Sequence, residues 1–186
     1  MKIILASNSP RRISILNGWG FDVKIKQVDY KEKIFPLDPI KTVIHNAYGK
    51  AYSVRDKNDV YPIVGVDTVV ELDGKILGKP ENQKENKAML EMLSEKKHNV
   101  YSGVAVILKD IFVVDFVKTV VLFRKILDKE IDVYVKSAEG IDKAGGYAVQ
   151  GIASSFIEGI KGPVDNVMGL PVYALRNALD KISKNI

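Results

Sequence analysis

Two tight turns constrain this chain more than any other feature. Asp73-Gly74 lies between the β-rich run Ile63–Leu72 and residues 75–79, and Lys109-Asp110 lies between residues 100–108 and 111–118. A two-residue connection of the Asp-Gly kind joins antiparallel neighbours, because its left-handed backbone matches the twist of the flanking strands. A chain with two such hairpins at its middle cannot build a purely parallel crossover sheet.

Around the hairpins, strand and helix signals alternate. Lys2–Ala6 reads as a buried strand, and Ser9-Pro10 then supplies an N-cap and a proline at the first helical position, with Gly18 as a stop. Phe21, Val23 and Ile25 alternate with Asp22, Lys24 and Lys26, the pattern of a half-buried strand. Residues 29–38 are polar and form a loop. Asp38-Pro39 begins a long helix with Ile40, Val43, Ile44, Ala47, Ala51 and Val54 on one face, Lys50 at the edge of that stripe and His45 pointing away. Asn82 and Glu85 have capping-box spacing ahead of a helix running to about Ser94. Residues 119–126 predict a further strand, and Asp128 caps a short helix ending near Ser137. Gly145-Gly146 break the chain, and residues 148–153 and 155–160 are candidate strands. Gly169-Leu170-Pro171 opens a last helix with Leu175, Leu179 and Ile182 inward. The expected class is α/β, with a mixed central sheet and flanking helices.

Composition narrows the chemistry. A length of 186 residues with 46% apolar content predicts one domain, 1–186, with a real core. With no Cys there is no disulfide scaffold, no thiolate zinc site and no Cys nucleophile, and the two His, His45 and His98, read as structural or surface residues. A catalytic metal would have to sit on carboxylates, which favours Mg²⁺ or Mn²⁺. No apolar run reaches the length of a membrane span and the N-terminus has no signal-peptide stretch, so the expectation is a cytoplasmic protein without a membrane partner. The net charge of +5 suits a polyanion or a solvated Lys-rich surface equally, but the lysines are dispersed and form no aromatic-interleaved stripe, so no nucleic-acid partner is expected.

Four segments could carry chemistry. Ser7-Asn8-Ser9-Pro10-Arg11-Arg12 places hydroxyls and two guanidiniums at a helix N-terminus, where backbone N–H groups and the dipole favour a phosphate chain; an ordinary capped helix with surface arginines fits as well. It is not a Walker loop. Asp67 lies in the apolar run Gly65-Val66-Asp67-Thr68-Val69, where an unpaired carboxylate is costly, which favours a metal ligand or a general base. Lys79, in Gly78-Lys79-Pro80, pairs with Thr68 if the hairpin register continues, but ideal alternation puts it on the opposite face from Asp67. Glycines in Lys143-Ala144-Gly145-Gly146-Tyr147-Ala148-Val149-Gln150-Gly151 allow close backbone approach, and Gln150 could read a base edge or hold a water.

Together these segments resemble the Maf proteins, also called septum formation inhibitors, a family of nucleoside triphosphate pyrophosphatases. Leu5-Ala6-Ser7-Asn8-Ser9-Pro10-Arg11-Arg12 is similar to the family's L-A-S-x-S-P-R-R signature, and Val66-Asp67-Thr68-Val69-Val70 to its A-D-T-V-V strand. Leu77-Gly78-Lys79-Pro80 resembles its G-K-P element, and His98-Asn99-Val100-Tyr101-Ser102-Gly103-Val104 resembles H-x-V-x-T-G-V. Residues 143–151 resemble K-A-G-A-Y-x-I-Q-G, and Val167-Met168-Gly169-Leu170-Pro171 resembles V-x-G-L-P. Gly146 stands where the family usually has Ala, and Ser102 where it usually has Thr.

The resemblance implies a Maf-type fold with two lobes around a cleft, similar to the inosine triphosphatase group. It implies metal-dependent hydrolysis of a nucleoside triphosphate to the monophosphate and pyrophosphate, with Mg²⁺ or Mn²⁺ as the cofactor. Carried over by position, the catalytic set is Asp67, Glu32 and Lys79, the substrate-binding set is Ser7, Arg11, Arg12, Lys50, Lys79 and Gln150, and the metal ligands are Glu32 and Asp67. Val28-Asp29-Tyr30-Lys31-Glu32 is looser than the family's I-D-E stretch, so Asp29 also stands as a candidate for the acidic role of Glu32. Asp67-Thr68 with Gln150-Gly151 is similar to the branch acting on dTTP and UTP. A homodimer follows by analogy only. Two other readings remain open: a non-catalytic nucleotide- or nucleic-acid-binding regulator of cell division, and a same-fold pyrophosphatase for damaged nucleotides.

Overall fold

In the computed structural model, which describes residues 1–184, the chain runs β1 (Lys2–Ala6), α1 (Pro10–Gly18), β2 (Asp22–Lys26), α2 (Pro39–Ser53), β3 (Ile63–Leu72) and β4 (Lys75–Leu77). It continues through α3 (Gln83–Leu93), β5 (Lys97–Leu108), β6 (Ile111–Phe123), α4 (Asp128–Lys136), β7 (Ile157–Lys161), α5 (Val164–Val167) and α6 (Val172–Ser183). The seven strands form one sheet in the order β2-β1-β3-β5-β6-β7, with β4 paired to β3. β1 is parallel to both β2 and β3, whereas β3–β4 and β6–β7 are antiparallel, so the sheet is mixed, as the two turns require. The chain divides into two compact units: Met1–Asp67, Ser102–Val117 and Gly169–Ile186 form unit 1, and Thr68–Tyr101 with Lys118–Met168 form unit 2.

In unit 1, β1 is buried on both faces. Ile3 and Leu5 join Val64, Val66, Val104 and Val106 beneath Leu16 of α1 and Leu175, Leu179 and Ile182 of α6. Ile4 and Ala6 join Ile63, Ala105 and Ile107 beneath Ala47 and Ala51 of α2. That second layer is thin because small residues line it. A Cβ on Gly65 would lie 2.1 Å from the Ala47 carbonyl, and one on Gly103 would lie 2.4 Å from the Val43 carbonyl. Only glycine allows α2 to rest its backbone on β3 and β5 there. This close seat fixes what α2 presents to the middle of β3.

In unit 2, Leu90 and Leu93 of α3, Ile131 and Tyr134 of α4, Val121 and Phe123 of β6, and Tyr147 and Phe156 share one core. His98 is buried in its aromatic part, with edge-on contacts to Phe123 and Tyr147 at 4.9 and 5.3 Å and its Nε2 2.8 Å from the Tyr147 hydroxyl. Burial pulls the imidazole down to about 4 from an ordinary 6.5. The unfolded chain therefore takes up a proton near pH 6.5 that the folded chain refuses until near pH 4, and stability is lost as pH falls across that window. The full shift corresponds to roughly 3 kcal/mol. Urea unfolding at pH 7 and 4.5 should show this slope in the wild type and lose it in His98→Gln, which keeps a polar partner for Tyr147 but does not titrate. An unchanged slope in that variant would assign the acid sensitivity elsewhere.

Several boundaries differ from expectation. The runs expected at 111–118 and 119–126 are one strand, β6, and β5 begins at Lys97. β4 stops at Leu77 rather than at Lys79, just ahead of Pro80, which has no N–H to give a ladder. Residues 148–153 are not a strand: Ile152–Phe156 forms a short 3-10 helix, and β7 starts only at Ile157. Helix α5 carried no sequence signal strong enough to predict it. Asp38 caps α2 through Lys41 N–H at 2.8 Å, and Asn82 caps α3 through Glu85 N–H at 3.0 Å. Ser9 holds the N-cap position of α1 but makes no side-chain cap bond, and Asp128 is the first residue of α4 rather than its cap. β7 pairs only with residues 120–123 of β6. In the remaining stretch Asp115 accepts the Phe116 N–H at 2.8 Å, and a charge placed this way discourages strand addition.

Candidate active site

Unit 1 brings charged residues together at the middle of β3. Asp67, next to the buried Val66, is 4% exposed. A buried carboxylate needs a counter-charge and hydrogen bonds. Both come from α2. Lys50 Nζ lies 2.7 Å from Asp67 Oδ1, and Asn46 Nδ2, one turn earlier on the same helix face, donates to Asp67 Oδ2 at 3.0 Å. The i, i+4 spacing puts both donors on one carboxylate. Lys50 was expected at the edge of the apolar stripe; it is buried, and the close seat of α2 on Gly65 delivers it to the strand.

The loop before α2 adds a second acid. Lys50 Nζ lies 2.6 Å from Glu32 Oε1, so one ammonium joins the two carboxylates. Asn46 holds this loop by accepting Lys33 N–H at 2.9 Å and donating to Lys33 O at 3.0 Å. The residue that meets Lys50 is thus Glu32, while Asp29 is exposed. Tyr30 of the same loop packs on Gly49, where a Cβ would fall 2.2 Å from its ring. Its hydroxyl titrates above the ordinary range, through burial first and then the charges of Asp67 and Glu32.

At the end of β1, Ser7 is 5% exposed and accepts both Ser9 N–H and an Arg12 N–H at 3.2 Å. Arg12 Nε donates to Gly169 O at 2.8 Å, tying the first helix to the Gly-Leu-Pro turn that opens α6. Burial lowers the Arg12 pKa; the fields of Asp67 and Glu32 oppose that shift, and Arg11 adds to it. Arg12 therefore feels both acids, and Arg11 sits beside it, half-buried, in the first turn of α1.

Of the residues singled out in the sequence, Ser7, Arg11, Arg12, Glu32, Lys50 and Asp67 belong to unit 1, while Lys79 and Gln150 belong to unit 2. The hairpin register is as expected, with Val70 opposite Leu77, but the ladder ends there and does not extend to Thr68 and Lys79. Lys79 and Gln150 are both exposed. Asn46 and Tyr30 were missed. Asn46 had a readable signal, a polar amide four residues before Lys50 inside an apolar helix stripe; Tyr30 had none.

Among the described residues, no group of three or more His, Asp and Glu side chains is placed to hold a metal ion. The two carboxylates that meet on Lys50 do fit one kind of ion. Mg²⁺ and Mn²⁺ accept one or two carboxylates and complete their shell with water and phosphate, whereas zinc sites use nitrogen and sulfur donors. No helix among the described residues is long and apolar enough to cross a membrane.

The family model described as Maf-like protein matches residues 2–182. A dTTP/UTP pyrophosphatase of Bacillus thuringiensis subsp. konkukian (strain 97-27) is 41% identical over 186 residues, covering 100% of this chain and 97% of that protein. A dTTP/UTP pyrophosphatase of Bacillus cereus (strain AH820) shows the same identity and coverage. The solved structure of the Staphylococcus aureus Ham1 protein aligns over 98% of this chain and 96% of its own at 14% identity, with a TM-score of 0.49. The motif residues at Ser7, Arg12, Asp67 and Gly169 thus lie in a match that spans nearly the whole length, and the chain belongs to the Maf-like protein family.

Proposed function

We propose that this chain hydrolyses a nucleoside triphosphate, dTTP or UTP, to the nucleoside monophosphate and pyrophosphate. The observation that supports this most directly is Asp67, buried and held by Lys50 and Asn46, with Glu32 on the same ammonium and Arg12 in the field of both acids. The full-length likeness to dTTP/UTP pyrophosphatases supplies the substrate class.

The reaction adds water at the α phosphorus and breaks its bond to the α–β bridging oxygen. Negative charge builds on that oxygen and on the leaving pyrophosphate, so cations placed around it lower the barrier without a covalent nucleophile. Asp67 takes the proton of the attacking water, and Lys50 compensates the charge of Asp67 and Glu32 between turnovers. Arg11 and Arg12, beside the Ser7 hydroxyl, bind phosphate oxygens; a guanidinium fork suits that geometry. Lys79 adds a charge for the phosphates, and Gln150 contacts the base or a water. Glu32 and Asp67 would hold Mg²⁺ or Mn²⁺. Such an ion neutralises phosphate charge and lowers the pKa of a bound water. The enzyme would act on the cytoplasmic nucleotide pool.

The test is a panel of canonical and modified triphosphates with Mg²⁺ or Mn²⁺, read by pyrophosphate release. Highest kcat/KM for dTTP and UTP is the expected result. A preference for a modified purine triphosphate would overturn the substrate assignment, and no pyrophosphate from any nucleotide would leave a binding protein without turnover.

A further inference from the structure

Asn86 is buried on α3 with its Nδ2 donating to Gly146 O at 2.7 Å, while its Oδ1 has no protein partner. Asn is a poor helix former, and half-satisfied burial of its amide costs stability, so helix α3 gains nothing from it. Its surroundings are shaped around it. A Cβ on Gly146 would lie 2.3 Å from Asn86 Nδ2, and one on Gly140 would lie 2.8 Å from Asn86 Oδ1. Gly145 and Gly146 both have positive φ, 70° and 73°, which lets two successive residues turn back toward the helix.

That turn carries a second bond. β4 ends at Leu77, leaving the Gly78 carbonyl without a ladder partner, and Gly145 N–H donates to it at 2.9 Å. The backbone from which Lys79 projects is therefore fastened to the turn that Asn86 grips. Downstream, Tyr147 is fixed on His98 and Ala148 N–H on the Tyr134 hydroxyl at 3.2 Å, while Ile152 N–H reaches Glu139 at 3.2 Å. Gln150 lies on the exposed span inside these anchors.

We propose that Asn86 is a positioning residue, which through the Gly146 carbonyl and the Gly145–Gly78 bond sets the placement of Lys79 for phosphate. This rests on the reading that Lys79 contacts the triphosphate. Asn86 touches no reacting atom; it acts by removing freedom from the backbone that bears one.

The experiment is a double-mutant cycle of Asn86→Ala and Lys79→Ala in the full chain, with kcat and KM for dTTP and UTP measured well below each variant's Tm. Asn86→Ala alone should lower kcat/KM at least tenfold. In the Lys79→Ala background it should change kcat/KM by less than twofold, because the group it positions is gone. A purely structural role would give the same fold-loss in both backgrounds and would overturn the proposal, as would wild-type kinetics in Asn86→Ala. If Asn86→Ala does not fold cooperatively, Gly146→Ala replaces it, since its Cβ displaces the amide by steric overlap; the same masking by Lys79→Ala is expected, and additivity again overturns the proposal. An inactive wild type would instead refute the pyrophosphatase reading, and an active wild type indifferent to Lys79→Ala would refute the proposal.

Discussion

Asp67→Asn is expected to lower kcat for dTTP and UTP by about 10²–10⁴-fold, the range lost with a general base, while the protein still unfolds cooperatively. The substitution is nearly isosteric, but its surroundings decide the cost. Asp67 accepts on both oxygens, from Lys50 and from Asn46. An amide has one acceptor, so its NH₂ must face either the ammonium or the Asn46 NH₂. Asn46 cannot turn to relieve this, because its own oxygen accepts from Lys33 N–H and its nitrogen donates to Lys33 O. One donor–donor mismatch remains, worth roughly 1–3 kcal/mol of stability. Circular dichroism, a urea midpoint and pyrophosphate release check all parts. Retention of wild-type kcat would remove Asp67 from the proton-transfer role.

Lys50→Met should have the second large effect, and on stability as much as on turnover. The methionine fills a similar volume but leaves Asp67 and Glu32 without their shared counter-charge. Removing one partner of a buried pair costs about 3–5 kcal/mol. The lower end applies here, because the Glu32 side chain is 45% exposed and water can reach it. In the Asp67→Asn background the loss should shrink, since no uncompensated charge remains in the strand. A urea curve for Lys50→Met that superimposes on the wild type would show that Lys50 is not what holds the two acids together.

Both effects trace to α2, and the sequence showed that helix only in part. Its apolar face, its Asp38 cap and its Pro39 start were legible because helix period, capping and proline geometry are local properties. The glycines that seat it were not. Gly65 and Gly103 lie inside strands where glycine weakens pairing, and nothing local says that a helix backbone approaches them. The helix period placed Lys50 only at the edge of the apolar stripe. Only the close seat of α2 turns it onto Asp67. Asn46 follows the same logic, for its role exists only once β3 lies beneath it.

Strand ends tell a similar story. Val70 opposite Leu77 could be counted from the Asp73-Gly74 turn, because hairpin register is set by the turn. Where the ladder stops could not be counted, since that depends on Pro80 and on the Gly145 N–H that takes over the Gly78 carbonyl. Residues 148–153 carry strand-forming side chains yet pair with no strand. They are held by side chains outside the segment, Tyr134 at Ala148 and Glu139 at Ile152, just after Tyr147 on His98.

By itself the sequence determined the mixed α/β class, the two hairpins, the six ordered motifs and hence the family. Those properties rest on interactions within a few residues or on residue order along the chain. The tertiary structure alone decided that Glu32 rather than Asp29 meets Lys50, that Asn46 completes the Asp67 shell, and that Asn86 grips the turn beside Gly78. These depend on contacts between elements far apart in sequence, where a glycine's missing Cβ or a buried charge's need for a partner selects one geometry out of many.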